Sequence, residues 1–164
     1  MTYLLDANVF IQAKNLYYGF DFCPAFWEWT IDANASGLVY SIDKVEGELV
    51  GLGDELSTWA DQRGDAFFLR PDSSLLPSLQ AVSVWAASQN YEPGAINLFL
   101  QSTDYYLVAH AHAHGDVVVT HEVSSNSIKK IKIPDACLGT KVPCMNTFEM
   151  LRRERARFVL GAPP

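Results

Sequence analysis

Four carboxylates spread widely along the chain, Asp6, Glu48, Asp104 and Glu122, occupy positions where simple patterning can bring functional groups together. Asp6, with Asn8 two residues on, follows the apolar run Thr2 to Leu5, and Thr120 with Glu122 closes the run Val117 to Val119. Both runs read as buried strands, and in open parallel sheets the binding crevice lies outside the carboxyl ends of the strands. Asp104 falls in the first turn of the helix expected to lead into the Val117 run, so it reaches the same edge if that helix packs antiparallel to the strands. Glu48 lies three residues after Val45, beside the apolar stripe of the strongest helical pattern. Glu46 competes for that place, but it points about 100° away from Val45. Because Asp43 and Glu46 have the spacing of a capping box, Glu46 is assigned to the cap and Glu48 to the acidic group.

Two ionised carboxylates about 5 Å apart repel by about 3 kcal/mol at an effective dielectric near 20, so four at one rim need a cation or raised pKa values. Oxygen donors without His or Cys favour Mg²⁺ or Mn²⁺ over zinc. Such an ion beside a crevice can polarise a phosphodiester and generate hydroxide from water, which is nuclease chemistry. The alternative is that each acid is separately a helix cap or a solvated surface charge.

The elements needed to hold these residues follow from periodicity. After the first strand, Cys23 to Asn34 reads as a helix and Leu38 to Ser41 as a second strand. From Val45 the apolar residues recur at Leu49, Leu52, Leu56 and Trp59, a stripe of one long helix. Ala66 to Leu69 suits a short strand, and Ser74 to Asn90 a helix with Pro77 near its first turn. A break at Pro93-Gly94 precedes a helix capped by Ser102 or Thr103 and stopped at Gly115. Lys129 to Ile133 alternates like a peripheral strand, and a last helix is expected from Asn146 to Arg157 with Glu149 completing a cap. Strands alternating with helices predict an α/β fold, a three-layer α/β/α domain with a largely parallel central sheet spanning residues 1–164.

A chain of 164 residues with 49% hydrophobic and 19% charged residues is expected to be one globular domain, which excludes disordered, collagen-like and coiled-coil classes. No apolar stretch is long enough to span a membrane, and no basic segment precedes the opening apolar residues. Cys23, Cys137 and Cys144 are odd in number and without metal spacing, so a cytoplasmic protein with reduced thiols is expected. The net charge of −7 hides an asymmetry: sixteen acids and four bases precede position 129, whereas three acids and eight bases occupy the basic C-terminal segment 129–164.

Leu5-Asp6-Ala7-Asn8-Val9-Phe10 resembles the opening strand motif of the PIN-domain family. Glu48-Leu49 resembles that family's helical Glu-Leu pair, Asp104 with Val108-Ala109 its third acid, and Val118-Val119-Thr120-His121-Glu122 its Val-Thr-x-Asp strand end. Order and separations match across nearly the whole chain, most closely the VapC-type toxin ribonucleases and a PIN-like subgroup with a Phe26-Trp27-Glu28-Trp29 type of aromatic helix and a Lys129-to-Pro134 segment. The resemblance implies a Mg²⁺- or Mn²⁺-dependent endoribonuclease, restrained by a cognate antitoxin protein, with a homodimer as a family-level expectation. Asp6, Glu48, Asp104 and Glu122 would hold the metal, and Asn8 and Thr120 would position ligands or water. Glu122 stands where many relatives have Asp, Ala7 replaces a frequent hydroxyl residue, and residues 64–101 exceed the corresponding part of a compact PIN domain.

Other features carry two readings each. His110 and His114 would share a helix face as an i, i+4 pair able to bind zinc or nickel, or sit at a core edge with His112. Lys129, Lys130 and Lys132 can meet RNA phosphates or guard an edge strand. Arg152, Arg153, Arg155 and Arg157 support a helix or contact RNA. Tyr17, Tyr18, Phe20, Phe22, Phe26, Trp27 and Trp29 suit a core or protein interface better than base stacking. Two other functional classes remain: a catalytically inactive PIN-fold module that binds a protein, and a phosphatase with Asp6 as nucleophile, which lacks the second aspartate expected two positions on.

Overall fold

Tyr3, Leu4 and Leu5 are fully buried, as are Val117, Val118 and Val119. Successive strand side chains point to opposite faces, so three buried in a row require cover on both sides of the sheet. In the computed structural model, which describes residues 1–161, these residues form β1 (Tyr3–Leu5) and β4 (Val117–Val119). They are joined by β2 (Val39–Ile42), β3 (Phe68–Leu69) and β5 (Cys144–Met145). All pairings are parallel, in the order β3-β2-β1-β4-β5. Tyr3 is in register with Val39 on one side and with Val117 on the other. The chain moves outward from β1 in one direction and then crosses to the other side, which makes the carboxyl ends of β1 and β4 the switch point where an α/β sheet opens a crevice.

Helices flank both faces, giving a three-layer α/β/α fold. They are α1 (Ala7–Gln12), α2 (Pro24–Ala35), α3 (Asp43–Val50), α4 (Glu55–Asp61), α5 (Leu75–Ser88), α6 (Pro93–Leu100), α7 (Thr103–His114), α8 (Ile133–Thr140) and α9 (Thr147–Arg153). α1 widens into a π-helical turn, Ala13–Tyr17, closed by the Tyr18 N–H on the Ala13 carbonyl at 2.7 Å. α7 begins at the predicted Ser102 cap, whose hydroxyl accepts from the Tyr105 N–H, and ends at Gly115, whose φ of 73° is left-handed. Running back along the sheet, it carries Asp104 to the carboxyl edge. No helix among the described residues is long and apolar enough to cross a membrane.

Several expectations are corrected. The stripe from Val45 to Trp59 is two helices, because Gly51 ends α3, Gly53 takes a left-handed φ of 68°, and Asp54 starts α4 by accepting from the Ser57 N–H at 3.0 Å. Leu52, in the break, is 48% exposed and is not part of the core. The Asp43/Glu46 capping box does not form: Ile42 is the cap residue, and Glu46 faces Arg70 at 3.9 Å. Residues 93–100 are helical with Pro93 in the first turn, so that proline starts an element as well as breaking one. Lys129 to Ile133 makes no strand: Ile131 and Ile133 bury into the core from an irregular segment that runs into α8, and the edge strand is Cys144–Met145. The last helix stops at Arg153, and Arg155 adopts a φ of 55°. The end of the basic segment, residues 162–164, lies outside the described residues.

The aromatic set is mostly core. Tyr18 stacks on Phe26 at 4.5 Å, Phe20 on Trp27 at 4.1 Å, and the Trp27 indole N–H donates to the Tyr18 carbonyl at 2.7 Å.

α9 opens with the expected capping box, Asn146 accepting from the Glu149 N–H and Glu149 accepting from the Asn146 N–H, both at 2.9 Å. Asn146→Ala is expected to lower unfolding free energy by about 1 kcal/mol, read as a shifted denaturant midpoint at unchanged slope.

Candidate active site

β1 ends in a short polar step, and the first group on it is Asp6. Its carboxylate is 5% exposed and caps α1 by accepting from the Ala7 N–H at 2.7 Å. Its other oxygen accepts the Thr120 hydroxyl at 2.8 Å, a bond that ties the end of β1 to the end of β4. Thr120 Oγ1 also accepts from the Asn8 amide at 3.1 Å and from the Glu122 N–H at 3.0 Å. Asn8 Oδ1 accepts in turn from the His121 N–H at 3.1 Å. Asn8 and Thr120 therefore orient the residues around Asp6 through a hydrogen-bond network.

Asp6, Asp104, Glu122 and Glu48 share one electrostatic environment. Burial pushes the Asp6 carboxyl up to about 7, with repulsion from Asp104 and Glu122 adding to it and the Thr120 and Ala7 hydrogen bonds opposing it. Asp104 is pushed up to about 6 by burial first, then by Glu122 and Glu48, with Lys130 and Lys132 opposing. Glu48 is exposed on α3 and faces Asp104, whereas the charges around Glu46 are Arg70, Asp65, Asp61 and Asp43. Glu48, not Glu46, belongs to the acidic rim.

Glu122 is engaged in a way the sequence reading did not anticipate. One oxygen accepts from the Ile133 N–H at 2.8 Å at the start of α8, and the other lies 3.9 Å from the Lys132 ammonium and 4.0 Å from that of Lys130. Proline at position 134 was the available signal, since proline in a first turn marks a helix start whose free N–H groups attract a carboxylate. Beside Glu122 and Thr120 a cavity of about 540 Å³ opens toward His121 and Phe148. Tyr17 borders the same region, 5.5 Å from the His121 ring and 5.0 Å from the Phe148 ring.

The donor chemistry fits a hard divalent cation. Three of the four acids repel one another in partial burial, all offer oxygen, and Mg²⁺ is commonly held by one or two carboxylates while keeping several waters. The four do not close into a tight cage: among the described residues, three or more candidate ligand atoms lie within 4.8 Å of one another at His110, His114 and Asp116, near the opposite edge of the sheet. Asp6 and Asp104, the two of these acids whose pKa values are raised, are the best suited to hold such an ion.

A carboxyl whose pKa is raised by folding favours the folded state most when protonated, so its contribution is full below pH 3.8 and is lost as pH rises through about 7. The full span corresponds to roughly 4 kcal/mol. Without divalent metal, Asp6→Asn is expected to melt progressively higher than the wild type as pH rises from 4 to 8, and Mn²⁺ should stabilise the wild type more than the variant; thermal unfolding across that range checks both.

Comparison with known proteins adds a family without a described activity. No curated protein and no solved structure matches the chain. A family model described as a domain of unknown function, DUF4411, matches residues 3–158, and that span takes in every residue of the acidic rim; the chain belongs to this family.

Proposed function

We propose that the chain is a PIN-like endoribonuclease that hydrolyses RNA phosphodiester bonds with Mg²⁺ or Mn²⁺, and that it is the toxin of a type II toxin–antitoxin pair, inhibited by a cognate antitoxin. The observation that carries this reading is the meeting of four carboxylates from four separate elements at the switch point of a parallel sheet, with pKa values raised at Asp6 and Asp104 by burial first and by acidic neighbours second. Acids assembled against their own repulsion are suited to a cation.

A divalent ion bound there would polarise the scissile phosphate and lower the pKa of an attacking water. Asp6 and Asp104 would hold it, and the Thr120 hydroxyl and Asn8 amide would keep Asp6 from turning away. Lys130 and Lys132 bring positive charge next to the acids, where they would take up phosphate oxygens that carboxylates alone repel. The cavity beside Glu122 gives the adjoining nucleotide a place, with Phe148 and His121 on its wall.

A second reading, a non-catalytic module of the same fold that binds a protein partner, is favoured by the engagement of Glu122 as a helix cap and lysine partner. The two readings separate on one assay. The intact chain should cleave RNA only with Mg²⁺ or Mn²⁺, and Asp6→Asn and Asp104→Asn should each lose activity by about a hundredfold or more. Cleavage that survives in both variants would place the activity elsewhere, and no cleavage with either metal would favour the binding module.

Lys130→Ala with Lys132→Ala is expected to weaken RNA binding and to lower the slope of log affinity against log salt by about 0.7 for each lysine lost, measured on single-stranded RNA in Ca²⁺ to prevent turnover.

A further inference from the structure

α7 connects the acidic rim to the opposite edge of the sheet, and ten residues beyond Asp104 it carries another group of ligands. At 1.5 Å per residue His114 lies about 15 Å from Asp104 along the helix. His110 and His114 are one turn apart on one face, their rings 4.5 Å between centroids and 29° from parallel. The left-handed Gly115 then turns the chain back so that Asp116 comes beneath them. One nitrogen of each imidazole and one Asp116 carboxylate oxygen lie within 4.8 Å of one another.

Two features of this group are unexplained by packing alone. His110 is 5% exposed and its Nδ1 has no hydrogen-bond partner, although an unpartnered buried imidazole nitrogen costs free energy. Asp116 is 7% exposed, and burial raises its pKa against the attraction of His114 and the chain's N-terminal amine. His114 is already prepared in the manner of a ligand. Its Nδ1 donates to the His110 carbonyl at 3.0 Å, which leaves Nε2 as the nitrogen for a cation and fixes the ring. That Nε2 faces the Asp72 carboxylate at 2.9 Å, on the loop before α5. A cavity of about 180 Å³ is bordered by His110 and Asp72.

We propose that His110, His114 and Asp116 bind Zn²⁺ or a similarly imidazole-preferring divalent cation, with water completing the coordination. Two imidazoles and a carboxylate make a mixed nitrogen and oxygen set that suits zinc and not magnesium, so the site is chemically distinct from the oxygen-only rim. The proton held between His114 Nε2 and Asp72 leaves to solvent as the cation takes its place. The bound ion ties the end of α7 to the start of β4.

Calorimetric titration of the full chain with ZnCl₂, in excess Mg²⁺ to occupy the acidic rim, tests this. One Zn²⁺ per chain is expected, with affinity lowered about tenfold or more in His114→Ala and in Asp116→Asn and unchanged in Asp6→Asn. Co²⁺ in place of Zn²⁺ should give visible absorption bands of a four-coordinate ion in the wild type that are missing in His114→Ala, whose fold is checked by circular dichroism. Absence of stoichiometric Zn²⁺ binding would overturn the proposal. So would binding that persists in both variants but disappears in a Cys137→Ser, Cys144→Ser double variant, which would assign the ion to the thiols.

Discussion

The carboxylate of Asp6 sits at the end of the central strand, almost fully buried, with two other acids close enough to raise its pKa. Much of the architecture around it keeps that arrangement in place. The backbone N–H at the start of α1 and the Thr120 hydroxyl supply the polar contacts, and Thr120 is available because β4 lies in register beside β1. α7 holds Asp104 at the same edge because Ser102 starts it there and Gly115 lets the chain turn back into β4. Repulsion among these groups is the cost of the assembly, and the hydrogen-bond network around Thr120 allows it to persist without rearrangement.

Glu122 shows how this fold handles the fourth acid. Its extra methylene, compared with an aspartate, lets it reach the first turn of α8 and two lysines while its own backbone N–H remains bonded to Thr120. The irregular segment preceding α8 is thereby fastened to the rim. Lys130 and Lys132 are placed by that fastening, since Ile131 between them and Ile133 after them are both buried.

The layered α/β fold was legible in the residues, and so was the placement of the strand-end acids. Acids at or just past the end of an apolar run mark strand ends, and so Asp6 and Glu122 could be set at one edge; Ser102 and Gly115 delimit α7 because both have local stereochemical reasons to be there. Glu48 was separated from Glu46 by helical angle and by a capping role for Glu46 that the structure does not show. The break between α3 and α4 was hidden because Leu52, Leu56 and Trp59 stay in phase with Val45 across Gly51 and Gly53. The alternation of Lys129 to Ile133 looked like a strand, but it records two isoleucines entering a core without a ladder. β5 has only two residues and exists through its pairing with β4, which no local pattern reveals. Asp116 was likewise beyond reach, because the i, i+4 spacing shows the two histidines and not the turn that brings the third ligand under them.

The hydrogen bond between Asp6 and Thr120 joins residues 114 positions apart. A ribosome making this chain releases the first strand long before its central neighbour on the β4 side has been translated. Until then β1 can pair with β2 alone, and the acid at its end has no hydroxyl to meet. The rim therefore assembles late, and a nascent or truncated polypeptide would carry the opening motif without the partners its acid meets in the folded chain.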